Sequence, residues 1–277
     1  MDDAKKTLMT RFTANKLIFF VAHIVLLTSY YFVFNLELNW LTIAIFLPLT
    51  FIAIHYHFNI VHMASHSALS KKRGINAFFG TWAAVLSGTT YADFKANHML
   101  HHSKAGQPDL DPDDKIARNA NFLLIPFKIF YHDYDFWSKG MWKKDKAWVG
   151  YLLARSLQLC LILIASTTGH LSTWLLFWVL PVYLLGVTNG AYLFFYPHYT
   201  SKNEHKWRNS KAKNWYQKLA LKLIDISRHY HEIHHEKVST NYVYFPLEAY
   251  LFEKFKSGQE PNLDFSGKFT DIKKIKV

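Results

Sequence analysis

Long runs without Asp, Glu, Lys or Arg constrain this chain more than any other feature. Residues 17–34 and 40–61 contain none of these four residue types over 18 and 22 positions. A helix needs about 20 apolar residues to cross the hydrocarbon core of a bilayer. Two further runs, 149–166 and 173–196, contain only one residue of these four types, Arg155. We therefore predict an all-α integral membrane protein with about four transmembrane helices.

The positions of the basic residues predict how these helices are oriented. Apart from Arg155, the Lys and Arg residues lie in the N-terminal 16 residues, between Ser67 and Lys146, or after Tyr196. The short turns that join the predicted spans in pairs contain neither Lys nor Arg. Cytoplasmic segments keep Lys and Arg, whereas translocated loops avoid them. We expect both termini to be cytoplasmic.

No repeat, low-complexity segment or long linker divides the chain, so we predict one domain over residues 1–277. Its cytoplasmic part is a helical cap formed by residues 67–146 and 197–277, which hold most of the histidines. The apolar stretch 75–91 is rich in small residues and follows three basic residues. We interpret it as an interfacial or re-entrant helix rather than a further span.

Four histidine clusters lie at or beyond the ends of the predicted spans. The segments HMASH, HMLHH and HEIHH repeat histidine at intervals of three or four, and YPH follows the last span. Residues three or four apart share one face of a helix, so each segment presents ring nitrogens in one direction. The nine candidate metal ligands are His62, His66, His98, His101, His102, His198, His231, His234 and His235.

Nine imidazoles are too many for one ion, which indicates a dinuclear centre. Imidazole suits Fe, Cu, Zn and Ni. A mononuclear catalytic zinc site uses three protein ligands and would leave most of the clusters unexplained. We therefore favour two iron ions. A lone histidine is more often a packing residue than a metal ligand. His198 has no neighbouring histidine, so its assignment as a ligand rests on its position just after the last span.

The other histidines are interpreted as packing, solvent-exposed or outer-sphere residues. They are His23, His55, His57, His132, His170, His205 and His229. Metal-bound imidazoles usually donate their second N–H to a carboxylate or carbonyl. The candidate carboxylates are Asp93, Asp111, Asp113, Asp225 and Glu232, although each could equally be a solvated charge or a helix cap. No catalytic residue beyond the metal ligands is predicted.

Charge and cysteine content exclude several classes of protein. A net charge of +12 could suggest nucleic-acid binding, but no recognition motif accompanies it, and attraction to anionic lipid explains it. Cys160 is the only cysteine, so the chain can form neither an internal disulfide nor a cysteine-ligated iron–sulfur cluster. No Gly-rich dinucleotide fingerprint is present. Electrons for redox chemistry must therefore come from another protein.

At these boxes the chain resembles the membrane fatty-acid desaturase/hydroxylase superfamily, and within it the bacterial β-carotene ketolases. The resemblance extends from about His55 to about Pro246 and includes the short HxxxH box, the DPD that follows the second box, and the PH after the last span. It implies that the nine histidines bind two Fe²⁺ ions. It also implies O₂ as co-substrate and a ferredoxin- or cytochrome-type electron donor.

The implied reaction hydroxylates an activated ring methylene of a carotenoid twice, giving a ketone. Two departures leave the substrate open: the third box reads HEIHH, where ketolases often place the acid just before the last histidine pair, and STNYVYFP replaces a Trp-rich end. A fatty-acyl or other lipid desaturase or hydroxylase of the same superfamily is the alternative. A non-enzymatic metal- or haem-binding membrane protein would need its histidines within the spans, whereas most lie outside.

Overall fold

A computed structural model describes residues 2–107, 109–117, 121–128, 130–189 and 234–235, except for the side chains of 2–16, 18, 117 and 122. Within this part of the chain the secondary structure is helical, and it contains no strand. The predicted all-α fold class is therefore confirmed.

Two long helices form the first hairpin of the fold. Helix α1 (Asp2–Asn35) is joined by a short turn to α2 (Trp40–Ser65) and packs along it. The side chain of Asn39 caps α2 by accepting hydrogen bonds from the backbone N–H groups of Leu41 and Thr42, both at 3.0 Å. This cap satisfies donors that the first helical turn leaves without partners.

Two shorter helices follow and pack against α2 at its C-terminal end. Helix α3 (Arg73–Leu86) has 14 residues and is about 21 Å long, too short to cross a hydrocarbon core of about 30 Å. Helix α4 (Tyr91–Lys104) is capped by the preceding residue, Thr90, whose side chain accepts a hydrogen bond from the N–H of Asp93. The hydroxyl of Tyr91 donates to the carbonyl of Ala64 at 3.0 Å and so joins α4 to α2.

Short helices connect α4 to the remaining membrane-spanning part. They are α5 (Pro112–Ala117), a 3₁₀ turn (Phe122–Leu124), α6 (Ile125–Lys128), α7 (Phe130–Ser138) and a second 3₁₀ segment (Met141–Lys146). Helix α7 packs against α4, α5 and α6. The connection therefore folds back over the end of α4 that carries the second histidine box.

A second helical hairpin completes the described fold. Helix α8 (Ala147–Thr167) is followed by α9 (Leu171–Trp174), a π-helical segment (Leu175–Val179) and α10 (Leu180–Asn189). Gln158 donates from its amide to the carbonyl of Thr89 at 2.8 Å, and Trp178 donates from its indole N–H to the carbonyl of Leu86 at 3.0 Å. Both bonds satisfy backbone carbonyls where α3 ends, within an apolar environment.

Among the described residues, three helical stretches are long and apolar enough to cross a membrane: Trp40–Ser65, Met141–Thr167 and Leu171–Asn189. They coincide with three of the four predicted spans. The first predicted span forms the shorter apolar helix Phe19–Asn35, and the end of the fourth, residues 190–196, lies outside the described residues. The chain is therefore a membrane protein, while the count of four spans stays a prediction.

The contact between α3 and the start of α4 requires a residue without a side chain at Gly80. A Cβ atom there would lie 2.5 Å from Cδ2 of Tyr91 and 3.0 Å from Cβ of Ala64. Because Tyr91 is hydrogen-bonded to Ala64, its ring cannot turn aside without losing that bond. Gly74, in the same helix, has open space around the corresponding position.

We expect Gly80→Ala to destabilise the protein by about 1–3 kcal/mol because it overpacks this contact. Gly74→Ala, the matched control, should leave stability unchanged or raise it slightly, since alanine favours helix over glycine. Thermal unfolding of both variants in the same detergent measures the difference. Equal midpoints for the two variants would contradict the close contact at Gly80.

Candidate metal centre

Four histidines of α2 and α4 bring their Nε2 atoms to a single point. His62 and His66 lie four residues apart at the C-terminal end of α2, and His98 and His102 repeat this spacing on α4. Nε2 of His98 lies 2.7 Å from Nε2 of His62, 2.8 Å from that of His66 and 3.2 Å from that of His102. The two boxes therefore face each other where the helices pack.

Hydrogen bonding cannot account for this arrangement. A neutral imidazole nitrogen carries either one proton or one lone pair, so Nε2 of His98 can take part in one such bond and not in three. A cation placed between the rings would accept a lone pair from each nitrogen at once. Such a set of imidazole donors fits iron.

A fifth imidazole reaches the same point from a distant part of the chain. His234 is buried, and its ring centroid lies 4.6 Å from that of His62, 4.8 Å from His66 and 4.9 Å from His102. One ligand atom from each of His62, His66, His98, His102 and His234 lies within 4.8 Å of every other. We refer to these five residues as the histidine cluster.

Two further predicted ligands lie beside the histidine cluster. The ring centroid of His235 is 4.2 Å from that of His102 and 5.3 Å from that of His101. The structure thus brings together seven of the nine predicted histidines. His198 and His231 lie outside the described residues, as do the candidate carboxylates Asp225 and Glu232.

The loop after the second box supports His101 through Asp111. Nδ1 of His101 donates to Oδ1 of Asp111 at 2.8 Å. The carboxylate is itself held by the N–H of Gly106 at 2.8 Å and the N–H of Asp113 at 2.9 Å. Because Nδ1 carries the proton, Nε2 of neutral His101 carries the lone pair, which is the form that binds metal.

Asp113 continues this network to a histidine that the sequence patterns did not single out. Its Oδ1 accepts from Nε2 of His132 at 3.0 Å, and its Oδ2 lies 3.5 Å from Nδ1 of His101. His132 is buried, and its carbonyl accepts from the side-chain amide of Asn97 at 3.1 Å. No motif links His132 to the boxes, since it lies 19 residues beyond Asp113. Only the packing of α7 on α4 reveals it.

Burial and neighbouring charges set the protonation of these histidines. Burial, followed by the other imidazoles, lowers the pKa of His98 well below its usual range, and burial lowers that of His66 to about 4. Burial also opposes the charge on His101, but Asp113 and Asp111 outweigh it and raise its pKa. His98 and His66 are therefore neutral at physiological pH, while His101 binds a proton more readily.

Asp93 lies at the other end of α4. It is buried, and it accepts a hydrogen bond from the hydroxyl of Thr90, the residue that caps this helix. Burial raises the pKa of Asp93 to about 6, and the nearby carboxylate of Asp133 adds to this effect. Asp93 thus contacts the residue that caps the helix, whereas Asp111 and Asp113 contact His101.

Aromatic side chains close the side of the centre that faces the membrane-spanning helices. The ring of Phe94 stacks on His98 at a centroid distance of 5.1 Å and an angle of 17°. Phe58 meets Phe94 edge to face at 5.1 Å. Both phenylalanines are buried, so the imidazoles meet an apolar wall that excludes water on this side.

Comparison with known proteins agrees with this geometry. Residues 38–257, most of the chain, match the family model described as Fatty acid desaturase. The enzymes of this family are oxidoreductases with a di-iron site, and they act on lipids at membranes. No curated protein matches the chain.

Replacing Asp111 by Asn should weaken iron binding about 10–100-fold, because loss of the carboxylate frees His101 from its fixed orientation. Asp109→Asn is the matched control, since Asp109 is exposed in the same loop and Asn tolerates its positive φ of 64°. Iron retained after dialysis against increasing chelator measures the effect. Equal retention in both variants would contradict a supporting role for Asp111.

Metal binding should weaken as the pH falls through the pKa of His101, because a proton on Nε2 of His101 competes with the metal. Asp113 and Asp111 raise this pKa above its usual value, so His101 takes up a proton while His66 and His98 are still neutral. Fe²⁺ titrations at stepwise pH measure the dependence. In Asp111→Asn the pH midpoint should move downward, since one group that raises the pKa is gone; an unchanged midpoint would be inconsistent with this assignment.

Proposed function

This chain belongs to the fatty acid desaturase family, and we propose that it is an O₂-dependent membrane di-iron oxygenase that introduces keto groups into a carotenoid ring. The reaction is of the β-carotene 4-ketolase type. The observation that carries the oxygenase assignment is the convergence of imidazole nitrogens on Nε2 of His98. The substrate is inferred from the sequence around that site.

Two irons would be held by the nine histidines of the boxes. The histidine cluster is suited to one ion, and His101 and His235 lie where they could contribute to a second. We assign His198 and His231 to the same centre on the resemblance of their motifs. The proposed ligands are His62, His66, His98, His101, His102, His198, His231, His234 and His235.

The bound iron pair supplies activation of O₂ against a C–H bond. The chain itself contributes position and environment. Asp111 fixes the orientation of His101, and Asp113 links that histidine to His132. Phe58 and Phe94 keep water from the buried side of the imidazoles. No side chain is required as a nucleophile or base.

The proposed reaction balances over two rounds at one ring carbon. Each round consumes one O₂, two electrons and two protons, converts a C–H bond to C–OH and releases water. The second hydroxylation gives a gem-diol, which loses water to form the ketone. The electrons come from a ferredoxin- or cytochrome-type protein, because Cys160 is the only cysteine and cannot hold an iron–sulfur cluster.

The segment where the loop after the second box enters α5 favours a carotenoid substrate over an acyl chain. Its DPD motif is one of the elements that resemble β-carotene ketolases, and both of its aspartates contact His101. The motif is thus part of the metal centre rather than a surface feature. A fatty-acyl or other lipid substrate, as the family description suggests, is the alternative outcome of the test below.

We further propose that the metal centre and both termini face the cytoplasm of a bacterial inner membrane. The histidine cluster lies at the C-terminal end of α2, opposite the turn that joins α1 to α2. Exposed lysines lie on the side of the cluster, including Lys71 and Lys72 after α2 and Lys146 before α8. Such residues are retained on the cytoplasmic side.

Aerobic cells that make β-carotene should accumulate ketocarotenoids when they express this protein, and should not when they express His101→Ala. The substitution removes a proposed ligand and should reduce product below detection. His170→Ala is the matched control, because His170 lies at the start of α9 in the opposite turn. Pigment analysis by liquid chromatography and mass spectrometry measures the result.

Two outcomes would overturn the carotenoid assignment. Unchanged carotenoids together with new double bonds or hydroxyl groups in acyl chains would move the substrate to membrane lipid. Equal product from the intact protein and from His101→Ala would contradict the metal centre itself. Anaerobic growth should abolish the product in either case, since both reactions consume O₂.

A further inference from the structure

Helices α6 and α7 expose several aromatic side chains, and those of α7 lie away from its buried His132. Phe130, Tyr131, Tyr134 and Trp137 recur along one side of α7, and Phe127 lies in α6, the helix that precedes it. These five side chains, which we call the aromatic face, are between 38% and 65% exposed. Exposed aromatic surface of this extent marks a site of interaction.

The depth of α7 follows from its contact with a membrane-spanning helix. Both carboxylate oxygens of Asp133 accept hydrogen bonds from Arg155 at 3.1 Å. Arg155 lies eight residues into α8, about 12 Å along its axis. Since the 21 residues of α8 are just long enough to cross the hydrocarbon core, α7 lies beside the part of this helix that enters the membrane.

Helix α6 is held at a similar level by the end of α10. The hydroxyl of Tyr183 donates to the carbonyl of Leu123 at 2.9 Å, and its ring lies 6.1 Å from that of Phe127. A Cβ atom at Gly186 would lie 2.9 Å from Pro126, which shows how closely the two helices approach. The aromatic face is thus flanked by membrane-spanning helices on both sides.

Exposed lysines follow the aromatic face along the chain. Lys143, Lys144 and Lys146 lie in the 3₁₀ segment between α7 and α8 and are exposed. Lysines beside an anionic membrane are attracted to its negative surface potential. Apolar aromatic residues followed by lysines match the boundary between acyl chains and anionic headgroups.

We propose that α6 and α7 form an interfacial anchor, in which the aromatic face enters the lipid and the lysines bind anionic headgroups. The partner is the anionic lipid surface of the membrane that the protein spans. The opposite side of α7 carries His132, which hydrogen-bonds Asp113 beside the ligand candidate His101. The anchor therefore joins the lipid surface to the metal centre through a single helix.

Nitroxide labels measure this depth directly and without reference to enzymatic activity. Tyr134→Cys places a label on the aromatic face, and Lys144→Cys is the matched control, both in a Cys160→Ser background that removes the only native cysteine. The full chain is reconstituted in nanodiscs of phosphatidylcholine and phosphatidylglycerol. Collisions with O₂, which concentrates in lipid, are compared with collisions with a neutral nickel chelate, which stays in water.

We expect O₂ to dominate at position 134 and the nickel chelate at position 144, so that the depth parameter changes sign between them. Omitting phosphatidylglycerol should move the label at 134 toward water, and Lys143→Gln with Lys144→Gln should remove this dependence on lipid charge. Nickel access at 134 equal to that at 144 would overturn the proposal. Protection of that label by an added acidic electron carrier would then assign the face to protein docking.

A label at 134 that neither reagent reaches would also overturn the proposal, because a protein segment would then cover the aromatic face. Phe130→Cys provides a second position for labelling on the aromatic face itself, should Tyr134→Cys prove unstable. Each of these results is independent of whether the substrate is a carotenoid or an acyl lipid.

Discussion

The crowding of imidazole nitrogens around Nε2 of His98 is the constraint on which the rest of this structure depends. Three other ring nitrogens approach that atom to within 3.2 Å. Hydrogen bonds can satisfy only one of them, whereas a cation bound between them would accept a lone pair from each. Two contacts hold α2 and α4 together near these nitrogens. The hydroxyl of Tyr91 donates to the carbonyl of Ala64, and the absence of a side chain at Gly80 leaves room for Tyr91 beside Ala64.

Carboxylates next to the centre complete the arrangement. Burying an uncompensated charge is costly, so buried carboxylates are expected to be paired and hydrogen-bonded. Asp111 satisfies this rule with His101 and two backbone N–H groups, and Asp113 with His132. These bonds fix the orientation of His101 before any metal binds. They also make α5 and α7, which contribute no proposed ligand, part of the same structural unit.

Different parts of the fold determine the type of reaction and the choice of substrate. The metal centre lies at one end of the helices, against an apolar wall formed by Phe58 and Phe94. Membership of the fatty acid desaturase family establishes the kind of chemistry such a centre performs. The choice between a carotenoid ring and an acyl chain depends on the surfaces that lead to that wall. The lipid-facing position that we propose for α6 and α7 would suit a substrate that arrives from the membrane.

Local patterns in the sequence determined the helical class, three stretches able to cross the membrane, and the grouping of histidines on common helix faces. These follow from residues a few positions apart, because hydropathy and the 3.6-residue period act locally. The role of Asp111 beside the second box could be predicted for the same reason, since it lies ten residues from His101.

Only the tertiary structure decided which groups meet across the chain. It placed His234 beside His62, brought His132 to Asp113 and left Asp93 in contact with Thr90, the cap of α4. It also paired Asp133 of α7 with Arg155 of α8. Such contacts depend on how helices pack and on which polar groups need partners in an apolar interior. Neither condition is encoded in the spacing of residues along one helix.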